Sequence, residues 1–181
     1  MKLVVGLGNP GADYERTRHN IGWDVVTSLC NETPISKFNG LLVKKRNVWF
    51  FRPTTFMNLS GEAVASLVGM HKISVSDIII VHDDMDIPLG NVRVKNTGGH
   101  GGHRGVKNII ERLGSSDFTR VKCGIGRPAE GVEVIQHVLT RFNIDETVNV
   151  SEMTSNAVAV ILSMLPKNDP GSSCDEESNT S

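Results

Sequence analysis

Five polar side chains stand where apolar runs end. Asn9 follows "KLVVGLG", and His19 and Asn20 come one short polar stretch later. Asn58 follows "FFRPTTFM", and Asp83 follows "DIIIVH". In a parallel sheet, side chains at the carboxyl ends of strands converge on one crevice. Asn9, Asp83 and Asn58 are expected to meet there, with His19 carried in by the segment after the first strand. A neutral imidazole takes a proton from water near neutral pH. A carboxylate on its other nitrogen fixes the tautomer and stabilises the imidazolium as it forms. Asparagine amides donate to a developing oxyanion. No serine or cysteine sits on a nucleophile elbow, so the set reads as His-activated water attacking an acyl group. Each residue also has a plain structural reading: Asn9 as a turn residue before Pro10, His19 as a helix cap, Asp83 as a cap on the loop 84–90.

Metal chemistry is the weaker use of the same polar residues. Asp83, Asp84 and Asp86 lack the spaced oxygen ligands and glycine of an EF-hand loop. His100 and His103 flank glycines without a third ligand nearby, which favours loop polarity or substrate contact. No metal and no cofactor is expected.

Gly6, Gly8 and Gly11 satisfy the G-x-G-x-x-G spacing of a dinucleotide cradle directly after an apolar run. Such a cradle also needs an acidic residue ending a second strand about 20 positions on. Glu32 lies near that distance but in turn-like "CNETP", and Pro10 removes an amide where phosphate-binding N–H groups are needed. The glycines read instead as a tight turn at the end of the first strand, with Asn9 aimed by the stiff Pro10. A nicotinamide-dependent oxidoreductase remains the alternative to be tested by cofactor binding.

These residues need a scaffold, and the hydrophobic pattern supplies one. "KLVVGLG" and the β-branched "DIIIVHDD" read as buried central strands. "LLVKK" and "VWFFRP" read as a hairpin around "RN", and "NVRVKN" alternates like an edge strand. "RVKCGIGRP" is a further strand. Asp13 to His19 reads as a polar helical stretch, followed by Ile21, Val25, Val26 and Leu29 at helical spacing. A helix begins near Ser60, a plausible N-cap, with Val64, Leu67 and Val68 on one face. "TGGHGGHRG" is a glycine loop opening into "VKNIIERLG", and two helices follow over about 131–141 and 145–164. Alternating strands and helices predict an α/β fold: a single three-layer α/β/α domain around a twisted, mixed, largely parallel sheet. The domain spans 1–166, and 167–181 is expected to be an acidic disordered tail.

The chain has 181 residues and a formal net charge of −1, but the charge is uneven. Segment 90–127 holds eight basic side chains against Glu111 and Asp117. That is either a solvated face or a surface for a phosphate-bearing partner. The three cysteines, Cys30, Cys123 and Cys174, are far apart and fit a reducing compartment. The first strand begins at Lys2 or Leu3, which leaves no room for a leader, and apolar runs are too short to span a membrane. Cytoplasm, no membrane association and a monomer are the expectations.

"GLGNPG-x-x-Y-x-x-TRHNIG", "P-x-x-FMNLSGEAV", "VHDDMDIPLG-x-x-R-x-K", "GGHGGHRGVKNI" and "GIGRP" occur in that order. Over about residues 2–165 the sequence resembles the bacterial-type peptidyl-tRNA hydrolases. The resemblance implies hydrolysis of the ester between a peptide and the 3′ ribose of tRNA, without cofactor or metal. By motif position, His19 resembles the general base and Asp83 its partner, while Asn9 and Asn58 resemble the groups holding substrate and oxyanion. Tyr14, Asn20, Phe56 and Met57 resemble crevice lining, although Phe56 and Met57 also suit simple core packing. His103 falls in the same substrate-contact motif. Lys95 and Lys122 match a basic pair that clamps tRNA phosphate, with Arg93, Lys107 and Arg120 extending the surface towards the acceptor stem and 3′ end. Segment 128–141 resembles a mobile lid. Arg104 stands where the family usually has asparagine; it either polarises the carbonyl or turns outward to RNA. A non-catalytic RNA-binding relative is the alternative within the family.

Overall fold

The computed structural model describes residues 1–30 and 32–166. The strands are β1 (Lys2–Gly6), β2 (Ile35–Lys37), β3 (Gly40–Lys45), β4 (Val48–Pro53), β5 (Ile78–Asp84), β6 (Val92–Lys95) and β7 (Thr119–Gly124). They form one sheet in the order β2-β3-β4-β1-β5-β7-β6. β1 lies parallel to both β4 and β5, and β5 lies parallel to β7. The β3–β4 hairpin and the edge strand β6 supply antiparallel pairs, so the mixed, largely parallel sheet expected from the pattern is present.

Period-two alternation divides the sheet's two faces. Leu3, Val5, Ile78 and Ile80 pack on one face against α2 (Ser60–His71) and α3 (Arg104–Leu113). Val4, Ile79 and Val81 pack on the other against α1 (Ile21–Ser28) and α5 (Thr147–Met164). A short helix α4 (Val134–Leu139) lies between β7 and α5 in the chain. The three layers therefore contain two separate apolar cores, and β1 and β5 are buried on both sides.

Local details differ from the sequence expectations. Asp13 to His19 is not a helix: Ala12–Tyr14 and Arg18–Asn20 are separate 3-10 turns. Ser60 does not cap α2; it is the first helical residue, and its buried hydroxyl donates to the Met57 carbonyl. A third antiparallel strand, β2, precedes the hairpin. Of the three fingerprint glycines, Gly11 alone has positive φ, at 104°. Gly6 and Gly8 serve close approach instead: a Cβ on Gly6 would collide with the Gly22 backbone of α1, and one on Gly8 with the Trp23 ring. The expected tail lies outside the described residues.

Candidate active site

β1 and β5 are adjacent and parallel, and the chain continues the ladder past β1 through Leu7 N–H to Val81 O. Asn9 and Asp83 are thereby delivered to the same end of the sheet. His19 follows on the turn before α1, and the backbone contact of Gly22 against the β1 end fixes that helix. His103 arrives from the opposite face as the N-cap of α3, its Nδ1 accepting from the Val106 amide at 3.3 Å. That bond leaves the proton on His103 Nε2, which donates to Asp83 Oδ1 at 2.9 Å. His19 Nδ1 donates to the same oxygen at 2.8 Å.

One carboxylate oxygen thus accepts from two imidazoles, carried by helices on opposite faces of the sheet and with ring centroids 4.9 Å apart. Asp83 is 4% exposed. Burial alone would raise its pKa, but the two histidines outweigh that and hold the carboxyl far below the usual range. With Nδ1 committed to Asp83, His19 keeps Nε2 without a protein partner among the described residues and faces a cavity. His19, Asp83 and His103 are also the one group among the described residues whose potential metal-ligating atoms lie within 4.8 Å of one another. Both nitrogens facing the carboxylate donate to it, an arrangement suited to proton transfer at His19 Nε2.

Asn9 is held on three sides. Its N–H donates to Asn20 Oδ1 and its carbonyl accepts from Asn20 Nδ2, each at 2.9 Å. Its own Oδ1 accepts from the Met57 amide at 2.7 Å. The amide orientation is therefore fixed, and Nδ2 is left as a donor without a protein partner among the described residues. Asn20, expected to touch substrate, uses its whole amide to position Asn9. Met57 is buried, whereas Phe56 is 52% exposed and meets half-buried Tyr14 edge-on at 6.1 Å.

Other expected residues are placed differently. Asn58 is exposed and does not join His19 in the cavity; it lines a shallow depression with Arg104, Lys107, Asn108 and Glu111. It directly follows Met57, whose amide is bound by Asn9. Arg104 is exposed at the start of α3 and borders both this depression and the cavity. Arg120 is not part of a phosphate surface. It is 1% exposed, its guanidinium lies over the Phe118 ring at 4.4 Å, and it donates to the Gly98 and Ser116 carbonyls. The Phe118 ring and the two carbonyls take up the guanidinium. Arg93 and Lys95 are exposed on that edge, and register sets Arg93 opposite Lys122. Lys122 is bound to Asp84 Oδ2 at 2.7 Å, and Lys107 pairs loosely with Glu111 at 3.8 Å.

Two contributors escaped the sequence reading. His82 is 3% exposed, and its Nδ1 donates to the Asp83 carbonyl at 2.7 Å. Burial, reinforced by His103, lowers its pKa to about 3. Period-two counting from Ile78 and Ile80 places it on the α3 side and was the signal available. Arg18, beside His19, is also buried. It binds both carboxylate oxygens of Glu146 at 2.9 and 2.7 Å and donates to the Thr140 and Arg141 carbonyls. It ties the segment after α4 to the turn bearing His19, and nothing local in sequence marks that pairing.

Comparison with known proteins identifies the family. A family model described as peptidyl-tRNA hydrolase matches residues 3–179. A protein of Halalkalibacterium halodurans named peptidyl-tRNA hydrolase is 44% identical over 160 residues, covering 84% of this chain and 86% of that one. One from Coxiella burnetii with the same name is 49% identical over 148 residues, covering 77% and 78%. The crystal structure of peptidyl-tRNA hydrolase from Acinetobacter baumannii superposes with a TM-score of 0.79 at 31% identity, covering 91% of each chain. With the His19–Asp83 pair, the fixed Asn9 amide and the order of the sheet on the page, the chain belongs to the peptidyl-tRNA hydrolase family.

Proposed function

We propose that the chain hydrolyses the ester joining a peptide to the 3′ ribose of tRNA, releasing peptide and free tRNA. The observation that carries this is the His19–Asp83 pair: Nδ1 donates to a buried carboxylate while Nε2 is free towards the cavity. Water held at Nε2 loses its proton to His19 as it attacks the ester carbonyl, and Asp83 stabilises the imidazolium. The free Nδ2 of Asn9 donates to the oxyanion. The proton then passes from His19 to the departing ribose oxygen, and Asp83 keeps the ring aligned throughout. His103 gives the same carboxylate oxygen a second hydrogen bond. Met57, Phe56 and Tyr14 offer an apolar wall for the peptide, and Asn58 and Arg104 border it. Lys95, Arg93, Lys122 and Lys107 supply the cationic surface for acceptor-stem phosphates. Residues 1–166 form the working unit, a cytoplasmic monomer without cofactor or metal; among the described residues no helix is long and apolar enough to cross a membrane.

The test is peptide release from a defined peptidyl-tRNA. His19→Ala is expected to abolish nearly all turnover while leaving tRNA binding within about threefold. Undiminished turnover would remove His19 as the base, and no turnover by the unsubstituted chain would leave only RNA binding.

A further inference from the structure

The first residue of α3 carries a guanidinium that the fold itself does not use. Arg104 is exposed, and its side chain has no ion pair or hydrogen bond among the described residues. Other basic side chains of segment 90–127 are engaged: Arg112 binds Glu62 and Lys122 binds Asp84, each at 2.7 Å. Arg104 lines a shallow depression of about 320 Å³ with Asn58, Lys107, Asn108 and Glu111.

The lining favours a negative guest. Lys107 lies three residues on, along the same helix face as Arg104, and its contact with Glu111 is a loose 3.8 Å between two exposed side chains. Asn108 is fixed in orientation, because its Oδ1 accepts from the Gly61 amide at 2.7 Å. Its Nδ2 is left as a donor that keeps access to solvent and has no protein partner among the described residues. Two cations and an amide donor thus stand against one carboxylate, Glu111, about two turns along the helix from Arg104.

The position of the depression relative to the reacting ester identifies the guest. Met57 joins the acyl site through its amide, which donates to Asn9 Oδ1 at 2.7 Å. Its side chain packs on Gly105, where a Cβ would collide with the sulfur. Asn58 and Arg104 are the chain neighbours of that contact, one on each side, so the depression begins one residue beyond the groups that hold the acyl oxygen. An extended peptide advances about 3.3–3.6 Å per residue. With the ester-linked residue at Asn9 and Met57, the next residue of the peptide reaches the depression. Arg93, Lys95 and Lys122 belong to β6 and β7 instead.

We propose that Arg104 selects an acidic side chain on the peptide residue next to the ester-linked one. The inference rests on the hydrolase reading above and adds a specificity residue to it. A guanidinium presents paired N–H groups that match a carboxylate, and neither an amide nor an ammonium on the substrate can accept both. Lys107 adds positive potential, and Asn108 Nδ2 adds a donor. Because the depression is shallow and open to solvent, the selection is modest and weakens with salt.

The experiment measures kcat/KM on acceptor-stem minihelices esterified with N-acetyl-Glu-Ala, N-acetyl-Gln-Ala or N-acetyl-Lys-Ala. The Glu substrate should exceed the isosteric Gln substrate about fivefold at low salt, and the Lys substrate should fall below Gln. Raising salt to about 0.5 M should bring the Glu-to-Gln ratio towards one. Arg104→Gln should bring Glu and Gln to within about 1.5-fold of each other, and Arg104→Glu should place Lys above Glu. Each ratio is taken within one protein, so a partly unfolded variant does not distort it. Equal kcat/KM for the Glu and Gln substrates in the unsubstituted enzyme overturns the proposal, as does a ratio unchanged by Arg104→Gln. A loss in Arg104→Gln that is equal for all three substrates, with a flatter salt dependence, would assign the guanidinium to an RNA phosphate and also overturns it. Failure to cleave any of the three refutes the hydrolase reading and this inference with it, whereas cleavage without charge preference refutes this inference alone.

Discussion

His82 makes folding stability depend on pH in a window where most buried carboxylates do not. Its pKa is lowered from 6.5 to about 3 because burial penalises the imidazolium and His103 adds repulsion. Between those values the unfolded chain binds a proton that the folded chain refuses. Stability from this group is therefore fully present above pH 6.5 and is lost as pH falls towards 3. With the two values in the linkage relation, the loss at pH 5 relative to pH 8 is about 2 kcal/mol, rising to about 3 kcal/mol at pH 4. Asp83 does not contribute in that range, since its depressed carboxyl loses stability only below the ordinary carboxylate value. The assay is urea unfolding of the unsubstituted protein and His82→Phe at pH 8, 6 and 5. The difference between the two proteins cancels the other titrating groups. The unsubstituted protein should lose about 2 kcal/mol more than the variant between pH 8 and 5. Parallel curves, or an imidazole proton of His82 that titrates near 6.5 by NMR, would refute the reasoning.

Arg18→Met should cost about 3 kcal/mol in unfolding free energy, because it leaves the carboxylate of Glu146 without its bidentate partner. KM for peptidyl-tRNA should rise with it as the segment after α4 loosens, and an unchanged melting temperature would count against the latch. Asp84→Asn should release Lys122 from its 2.7 Å ion pair. Tighter tRNA binding by about threefold and a steeper salt dependence are expected, while Lys122→Ala should weaken binding and flatten that dependence; identical salt slopes for both variants would show that Lys122 does not meet phosphate.

What the sequence revealed and what it hid divide along a physical line. β-branched runs and period-two alternation marked the central strands and the hairpin, because burial on both faces leaves a local imprint. Asn9 and Asp83 were legible as a pair, since parallel neighbours must deliver their ends to one edge. Arg120 was misassigned because its guanidinium is taken up by the Gly98 carbonyl 22 residues away, which its own neighbourhood does not declare. Lys122 looked free because its partner Asp84 is 38 residues away. Asn58, expected in the crevice, is exposed beside buried Met57 and lines a depression with Arg104 and Lys107. Arg18 and Glu146 pair across 128 residues with no periodicity to announce them. The glycine spacing misled in an instructive way. Gly6 and Gly8 are small because α1 presses on the strand end, so the spacing reports packing and not a nucleotide.

The shared oxygen of Asp83 has a consequence for how the two layers depend on each other. His19 is carried by the layer containing α1 and α5, and His103 by the layer containing α2 and α3. Each layer has its own apolar core against the sheet. Both imidazoles reach the same atom only after both layers have docked. The carboxylate therefore joins the two halves of the fold at one atom. A chain with one layer displaced would lose one of the two imidazole hydrogen bonds that hold the Asp83 carboxylate.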